Sequence, residues 1–178
     1  MVGQQVPLIH ERSEHMEMYI LGEDNPSGTA RWVRLPVEED KLPASATIAC
    51  LVSVDGDGYF EGISETADRS RIPELNRLAR ALKALSEEER YKLGALLECQ
   101  DNVNLSTVER MMRLLPTTKL LIGVTDFADV GRYHLEHTMH IFLPSEIAEY
   151  FDYQEYGRVV HKKSLGKFTS AGYLMCDI

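Results

Sequence analysis

Residues 144–158 read Pro-Ser-Glu-Ile-Ala-Glu-Tyr-Phe-Asp-Tyr-Gln-Glu-Tyr-Gly-Arg, and they combine an acidic series with an aromatic one. The acids recur at every third residue: Glu146, Glu149, Asp152 and Glu155. No basic residue interrupts them before Arg158. Because residues three apart on a helix lie on neighbouring turns, about 5–6 Å from one another, the spacing predicts an acidic helix with carboxylates beside aromatic rings.

Two interpretations of this helix follow from its residues. In the first, it is a solvated acidic face that covers a core containing tyrosines. In the second, it presents negative charge to a basic groove on another molecule. We expect Tyr150, Phe151, Tyr153 and Tyr156 to pack in a core, or between two copies of the chain, rather than against such a groove.

The composition is that of a soluble globular protein of 178 residues, with a net charge of −9 and a pI of about 5.1. Such a balance argues against nucleic-acid binding, which needs clustered basic residues, and is compatible with a basic partner. No apolar run approaches the ~18 residues of a membrane span. The three dispersed cysteines and the lack of a signal-peptide pattern predict a reduced, cytoplasmic protein.

Residues 1–67 are predicted to form an α+β domain with an antiparallel sheet. Alternating apolar residues predict strands at 16–21, 29–35, 47–54 and 59–63. One or two helical turns are expected after Pro36. Residues 55–58, Asp-Gly-Asp-Gly, predict a turn, because the positions that would complete a calcium-binding EF-hand loop do not carry Gly and Glu.

Residues 68–117 are predicted to be a helical middle domain. Leucines at 75, 78, 82 and 85 follow a helical period. Ser86 with Glu89, and Ser106 with Glu109, have the spacing of capping boxes. Pro116 is expected to end the last helix.

Residues 118–178 are predicted to be a mixed α/β domain. A strand is expected at 119–124, and Asp126 is expected to cap a helix that reaches about residue 137. Further strands are predicted at 141–143, 159–161 and 168–177, with a turn or bulge at 170–172.

His134, His137 and His140 are the best candidates for a metal site, since two histidines three apart on a helix can share an ion. The alternative is that they are surface histidines beside acidic groups. No phosphate-binding loop and no recognisable nucleophile–base arrangement occurs in the sequence. A catalytic role therefore has little support in the sequence, and we predict no catalytic residues, no metal and no cofactor.

Several blocks of the sequence resemble the ArdA antirestriction proteins of conjugative plasmids and transposons. The most specific block is 150–158, and the others are 72–78, 93–98, 128–136 and, more loosely, 18–36. The resemblance implies an elongated α+β protein of three small domains, which would be 1–67, 68–117 and 118–178, paired as a homodimer through the last. It also implies a decoy that mimics DNA, occupies the DNA groove of type I restriction-modification enzymes, and catalyses no reaction.

The resemblance directs attention to acids that could stand in for DNA phosphates. We assign the contact to Asp126, Asp129, Glu136, Glu146, Glu149, Asp152 and Glu155, with a second group at Glu38, Glu39 and Asp40. Charge is segregated accordingly: residues 126–157 carry seven acids and one Arg, a net −6, and residues 8–40 carry eight acids and three Arg, a net −5. Residues 69–92 and 158–178 are each +3. The sequence also leaves open a module that binds another protein of the mobile element or host.

Overall fold

The computed structural model describes residues 16–24, 29–38, 41, 48–54, 64–67 and 69–176. The chain divides into two compact units, residues 1–90 with 102–109 and residues 91–101 with 110–178. Helices and antiparallel sheets occur together, so the mixed α and β character predicted from the sequence is confirmed. The division into domains 1–67, 68–117 and 118–178 stays a prediction.

A four-stranded antiparallel sheet forms the first unit's β-structure. Its strands are β1 (Met16–Asp24), β2 (Thr29–Arg34), β3 (Ile48–Val54) and β4 (Ser64–Ala67). They lie in the order β2-β1-β3-β4, which confirms the first three predicted strands. The predicted strand at 59–63 and the turn at 55–58 lie outside the described residues, as do positions 39, 40 and 42 of the helical turns expected after Pro36.

Helix α1 (Ile72–Lys83) follows a short 3₁₀ turn and lies against β1. Three of the four leucines in its predicted apolar stripe, Leu75, Leu78 and Leu82, are buried, whereas Leu85 lies beyond the helix and is half-buried. Buried Asn76 holds the segment after β2: its Oδ1 accepts from the Val37 N–H at 2.9 Å, and its Nδ2 donates to the Val37 carbonyl at 2.7 Å. A buried amide is tolerated here because its polar atoms have partners.

Of the two predicted capping boxes, one is confirmed and one is wrong. Helix α2 (Glu87–Glu98) begins as expected: the Glu89 carboxylate accepts from the Ser86 N–H at 2.8 Å, and Ser86 Oγ accepts from the Glu89 N–H at 3.3 Å. Helix α3 (Leu105–Leu114) is instead capped by Asn104, whose Oδ1 accepts from the Thr107 N–H at 2.9 Å. Because Asn104 already occupies the cap position, Ser106 falls inside the helix and only donates to Asn104.

The second unit contains a three-stranded antiparallel sheet of β5 (Thr118–Ile122), β6 (Lys167–Thr169) and β7 (Gly172–Cys176), in the order β5-β7-β6. The strand predicted at 119–124, and the strands predicted within 168–177 with a turn at 170–172, are therefore confirmed up to residue 176. Its hydrophobic core consists of Leu121, Val124, Val130 and Tyr173, with Tyr133, Val160 and Met175 packed against it.

Three helical segments accompany this sheet. Helix α4 (Phe127–Tyr133) continues into one π-helical turn at His134–Thr138, which confirms the helix predicted from Asp126 to about residue 137. Two more follow, α5 (Ser145–Ala148) and α6 (Tyr153–Ser164). Among all the described residues, no helix is long and apolar enough to cross a membrane.

The single acidic helix predicted over residues 144–158 is wrong. Asp152 is not helical, with φ −78° and ψ 80°, and its carboxylate instead accepts the Glu155 N–H at 2.9 Å. Aspartate favours such a cap because its short side chain competes for backbone groups in non-helical conformations. The acids at 146 and 155 therefore lie on different helices, and the three-residue spacing does not form one stripe.

Two predicted strands are also wrong. Residues 159–161 belong to α6, because packing of Val160 against the core overrides the β preference of its branched side chain. Residues 141–143 form no strand. The Ile141 N–H instead donates to the Leu135 carbonyl at 2.8 Å and closes the π-helical turn.

Candidate functional site

The acid-rich part of the second unit contains a seven-residue pattern that occurs twice. Residues 126–132 read Asp-Phe-Ala-Asp-Val-Gly-Arg, and residues 152–158 read Asp-Tyr-Gln-Glu-Tyr-Gly-Arg. Both share the form Asp-aromatic-x-acid-x-Gly-Arg. Each copy begins a helix, α4 in the first case and α6 in the second.

The aspartate at the first position of each copy caps the helix, and the backbone N–H of the fourth residue donates to it. Asp126 Oδ1 accepts from the Asp129 N–H at 2.9 Å, and Asp152 Oδ1 accepts from the Glu155 N–H at 2.9 Å. The positive end of the helix dipole favours carboxylates in this turn. The carboxylates of Asp126 and Asp152 therefore have a structural role within the chain, and the caps hold them in defined positions.

Glycine at the sixth position allows the two helices to touch backbone to backbone. A Cβ on Gly131 would collide with the Tyr153 carbonyl oxygen and lie 3.1 Å from the Gly157 nitrogen. A Cβ on Gly157 would collide with the Phe127 carbonyl oxygen and lie 2.9 Å from the Gly131 nitrogen. The contacts are reciprocal, so α4 and α6 cross as an antiparallel pair with approximate two-fold symmetry.

The arginine at the seventh position of each copy also contacts the other copy. Arg132 lies over the Tyr153 ring, 5.0 Å from its centre, and Arg158 lies over the Phe127 ring at 5.6 Å. Each arginine also pairs with the acid of its own helix: Arg132 with Asp129 at 3.7 Å, and Arg158 with Glu155 at 3.1 Å.

The crossing also fixes where the caps lie. Gly131 lies against the Tyr153 carbonyl and Gly157 against the Phe127 carbonyl, so each helix begins beside the glycine of the other. The pair thus carries an acidic cap at each end.

The predicted contact residues differ in how exposed they are and in the contacts that they make. Five in the second unit are exposed: Asp126, Glu146, Glu149, Asp152 and Glu155. Asp129 and Glu136 are half-buried, and Asp129 also accepts from the Thr125 N–H at 3.1 Å and from its hydroxyl at 3.2 Å. Glu136 and Glu149 line the same cavity.

The second predicted group lies in the first unit. Glu38 is exposed and pairs with Lys41 at 2.6 Å. The hydrogen bond from Lys41, together with its positive charge, lowers the pKa of Glu38. Glu39 and Asp40 lie outside the described residues.

The histidines of the predicted metal candidate have other partners. His134 Nδ1 lies 2.8 Å from the Tyr156 hydroxyl. The His137 ring packs edge-on against Tyr133, with 4.6 Å between ring centres. In the part of the chain that the structure describes, no three side chains of His, Cys, Asp or Glu are grouped so as to hold a metal ion.

The aromatic residues of the acidic stretch divide into two groups. Phe151 packs against Tyr153 and Tyr156, with ring centres 4.9 and 5.7 Å apart. Tyr150, in contrast, is 87% exposed and packs in no core of the monomer. The expectation that these rings pack in a core therefore does not hold for Tyr150 within the monomer.

The repeated motif was missed from the sequence because its copies agree only in chemical type at the second and fourth positions and differ at the third and fifth. The signal that could have revealed it was the Gly-Arg pair five residues after an aspartate, present in both copies.

Comparison with known proteins places the chain among the antirestriction proteins. Residues 29–175 match the family model described as Antirestriction protein (ArdA). Because the match covers most of the chain, the protein belongs to the ArdA family, and the resemblance noted in the sequence is confirmed. No curated protein sequence matches it.

Proposed function

We propose that this ArdA family member inhibits type I restriction-modification enzymes by occupying their DNA-binding groove, with carboxylates in place of DNA phosphates. It binds and does not catalyse a reaction. The observation that supports the proposal most is the net charge of −6 over residues 126–157, where five of the seven acids are exposed.

The physical reason is the energetics of polyanion binding. A groove lined with Lys and Arg binds DNA largely by releasing condensed counterions, and the affinity falls steeply with salt. Duplex DNA carries one charge per ~1.7 Å, so about 30 Å of it holds roughly 18 charges. Two copies of this chain, at −9 each, carry −18. The charge is therefore sufficient for a partial mimic whose acids are concentrated locally.

The protein acts in this proposal as a homodimer in the cytoplasm, where it meets the enzyme as a mobile element enters by conjugation. It does not bind nucleic acid or membrane. The homodimer is what the family resemblance implies. Light scattering of the purified chain across a range of concentrations tests the dimer directly.

The inhibition is tested by titrating DNA cleavage by a purified type I enzyme with this protein at low and moderate salt. We expect near-stoichiometric inhibition that weakens as salt rises and is relieved by excess specific DNA. Inhibition that does not change with salt would favour the alternative, an apolar contact with a different protein partner.

The distribution of binding energy is tested by neutralising the acids one at a time. Since exposed charge pairs are worth about 0.2–1 kcal/mol each, Glu146→Gln and Glu155→Gln should each weaken inhibition by no more than roughly five-fold. Glu87→Gln with Asp101→Asn is a suitable control, because both are exposed acids outside residues 126–157. One such substitution that abolishes inhibition in a folded protein would contradict a shared charge surface.

A further inference from the structure

A cavity of about 440 Å³ lies beside α4 in the second unit. Its apolar walls come from Ile141, Phe142, Leu143 and Ala148, and two carboxylates, those of Glu136 and Glu149, also line it. A volume in this range accommodates a small ligand or a side chain from another molecule.

The cavity depends on an unusual backbone. The π-helical turn at His134–Thr138 ends with the Met139 N–H donating to the His134 carbonyl at 2.9 Å. His140 then takes a left-handed conformation, with φ 55°, and the Ile141 N–H returns to the Leu135 carbonyl. The chain thereby turns back, and residues 141–143 become a wall. π-Helical turns and left-handed non-glycine residues are both concentrated at functional sites.

Two carboxylates give the cavity negative charge, and they have no partner among the described residues. Among the residues that the structure describes, neither the Glu136 nor the Glu149 carboxylate has an ion pair or hydrogen bond. Arg132 also lines the cavity, but its guanidinium is already paired with Asp129 at 3.7 Å and lies over the Tyr153 ring. The two glutamates are therefore available to a cation from outside.

We propose that this cavity binds an arginine side chain of the protein partner, an inference that rests on the proposed function. The apolar walls suit the aliphatic stem, while Glu136 and Glu149 suit the head group. Arginine is favoured over lysine because its planar guanidinium is weakly hydrated, stacks on aromatic rings such as Phe142 and binds carboxylates in two-point geometry. The cavity thus adds a shape-selective contact that DNA phosphates do not offer.

The site itself is tested on the full-length protein with Nα-acetyl-arginine amide, followed by two-dimensional NMR. We expect saturable shifts confined to residues 132–153. Nα-acetyl-citrulline amide has nearly the same shape without the charge, and it should bind at least five-fold more weakly. Equal binding of the two probes, or shifts elsewhere in the chain, would overturn the proposal.

Two sets of variants sharpen this test. Glu136→Gln with Glu149→Gln removes both charges and should weaken the arginine probe at least five-fold. Phe142→Ala removes an aromatic ring from the wall of the cavity. Because Phe142 is 73% exposed, folding should be retained while binding of the arginine probe falls. Glu87→Gln with Asp101→Asn removes equal charge away from the cavity and should leave probe binding unchanged. Probe binding that is insensitive to both cavity variants would count against the site.

Cleavage inhibition then separates the two proposals. The Glu136→Gln, Glu149→Gln protein should require about ten-fold more inhibitor than the wild type, and the charge-matched control only slightly more. If the wild type inhibits no type I enzyme, the proposed function fails, while the probe measurement still decides whether the cavity binds arginine. If inhibition occurs but ignores the cavity variant, the partner's arginine does not enter the cavity.

Discussion

The two copies of the seven-residue motif, residues 126–132 and 152–158, begin alike and end differently. Both cap a helix with aspartate, cross at glycine and place an arginine over the other copy's aromatic ring. After the arginine, α4 passes into the π-helical turn, whereas α6 continues regularly to Ser164. The shared residues therefore specify the helix start and the crossing, and the following residues decide what each helix does next.

The residues that follow the second copy pack in the core, whereas the residues that follow the first copy line the cavity. Beyond α6's glycine, Val160 packs on the core and His161 Nδ1 lies 2.8 Å from the hydroxyl of buried Tyr173. Beyond α4's arginine, Glu136 and residues 141–143 line the cavity. The same motif is therefore followed by a core-packing segment in one copy and by a cavity-lining segment in the other. The crossing constrains only the motif itself, so the residues after it can differ.

The largest expected effect is the loss of the crossing. Gly131→Ala and Gly157→Ala each place a methyl group against backbone that cannot move aside, so each should cost about 3 kcal/mol, the upper end for overpacking. A thermal melt should then show a decrease of roughly 6–12 °C. Gln154→Ala is the control, since Gln154 is exposed on α6. A small effect at only one glycine would break the two-fold equivalence of the copies.

The caps come next in size. Asp126→Ala and Asp152→Ala should each cost about 1 kcal/mol in urea unfolding, because a helix N-terminus loses its acceptor. Asp126→Asn and Asp152→Asn keep an acceptor and should be nearly neutral for stability. In the cleavage assay, the asparagine variants should inhibit less well, since they lack the charge. If asparagine destabilises as much as alanine, the carboxylate charge rather than the cap hydrogen bond holds these helix ends.

The smallest effect is expected at the arginines. Arg132→Gln and Arg158→Gln each remove a half-exposed ion pair and a ring contact, together worth about 0.5–1 kcal/mol. The Arg158 change should be the larger, because its ion pair is shorter, 3.1 Å against 3.7 Å. Urea unfolding at low and high salt checks this. A larger loss at Arg132 would mean that its place in the cavity wall contributes to stability.

Local features were the ones that sequence reasoning predicted well. Ser86 with Glu89, and Asp126 with Asp129, were recognisable because a cap is decided by residues within one turn of each other. Strands β1, β2, β3, β5 and β7 followed from apolar residues bounded by turn residues, whereas β4 was not predicted. The family could also be recognised from short blocks, and its match extends over residues 29–175.

Some errors occurred where distant residues decide the conformation. Val159 and Val160 favour strands locally, but the crossing at Gly157 keeps them in α6. One error was local: Glu146 and Glu155 share a three-residue period, but Asp152 caps a new helix between them. The contact residues assigned to the partner stay a prediction, since surface charge by itself does not identify a target.

The sequence by itself determined the charge distribution, most helix starts and strands, and membership of the ArdA family, because these depend on residue type and on neighbours within a few positions. Only the tertiary structure decided that two distant Asp-aromatic-x-acid-x-Gly-Arg segments cross as a pair, and that residues 141–143 fold back to form one wall of a cavity. Both depend on close contacts between backbone segments far apart in the chain, and no local preference encodes which segments will meet.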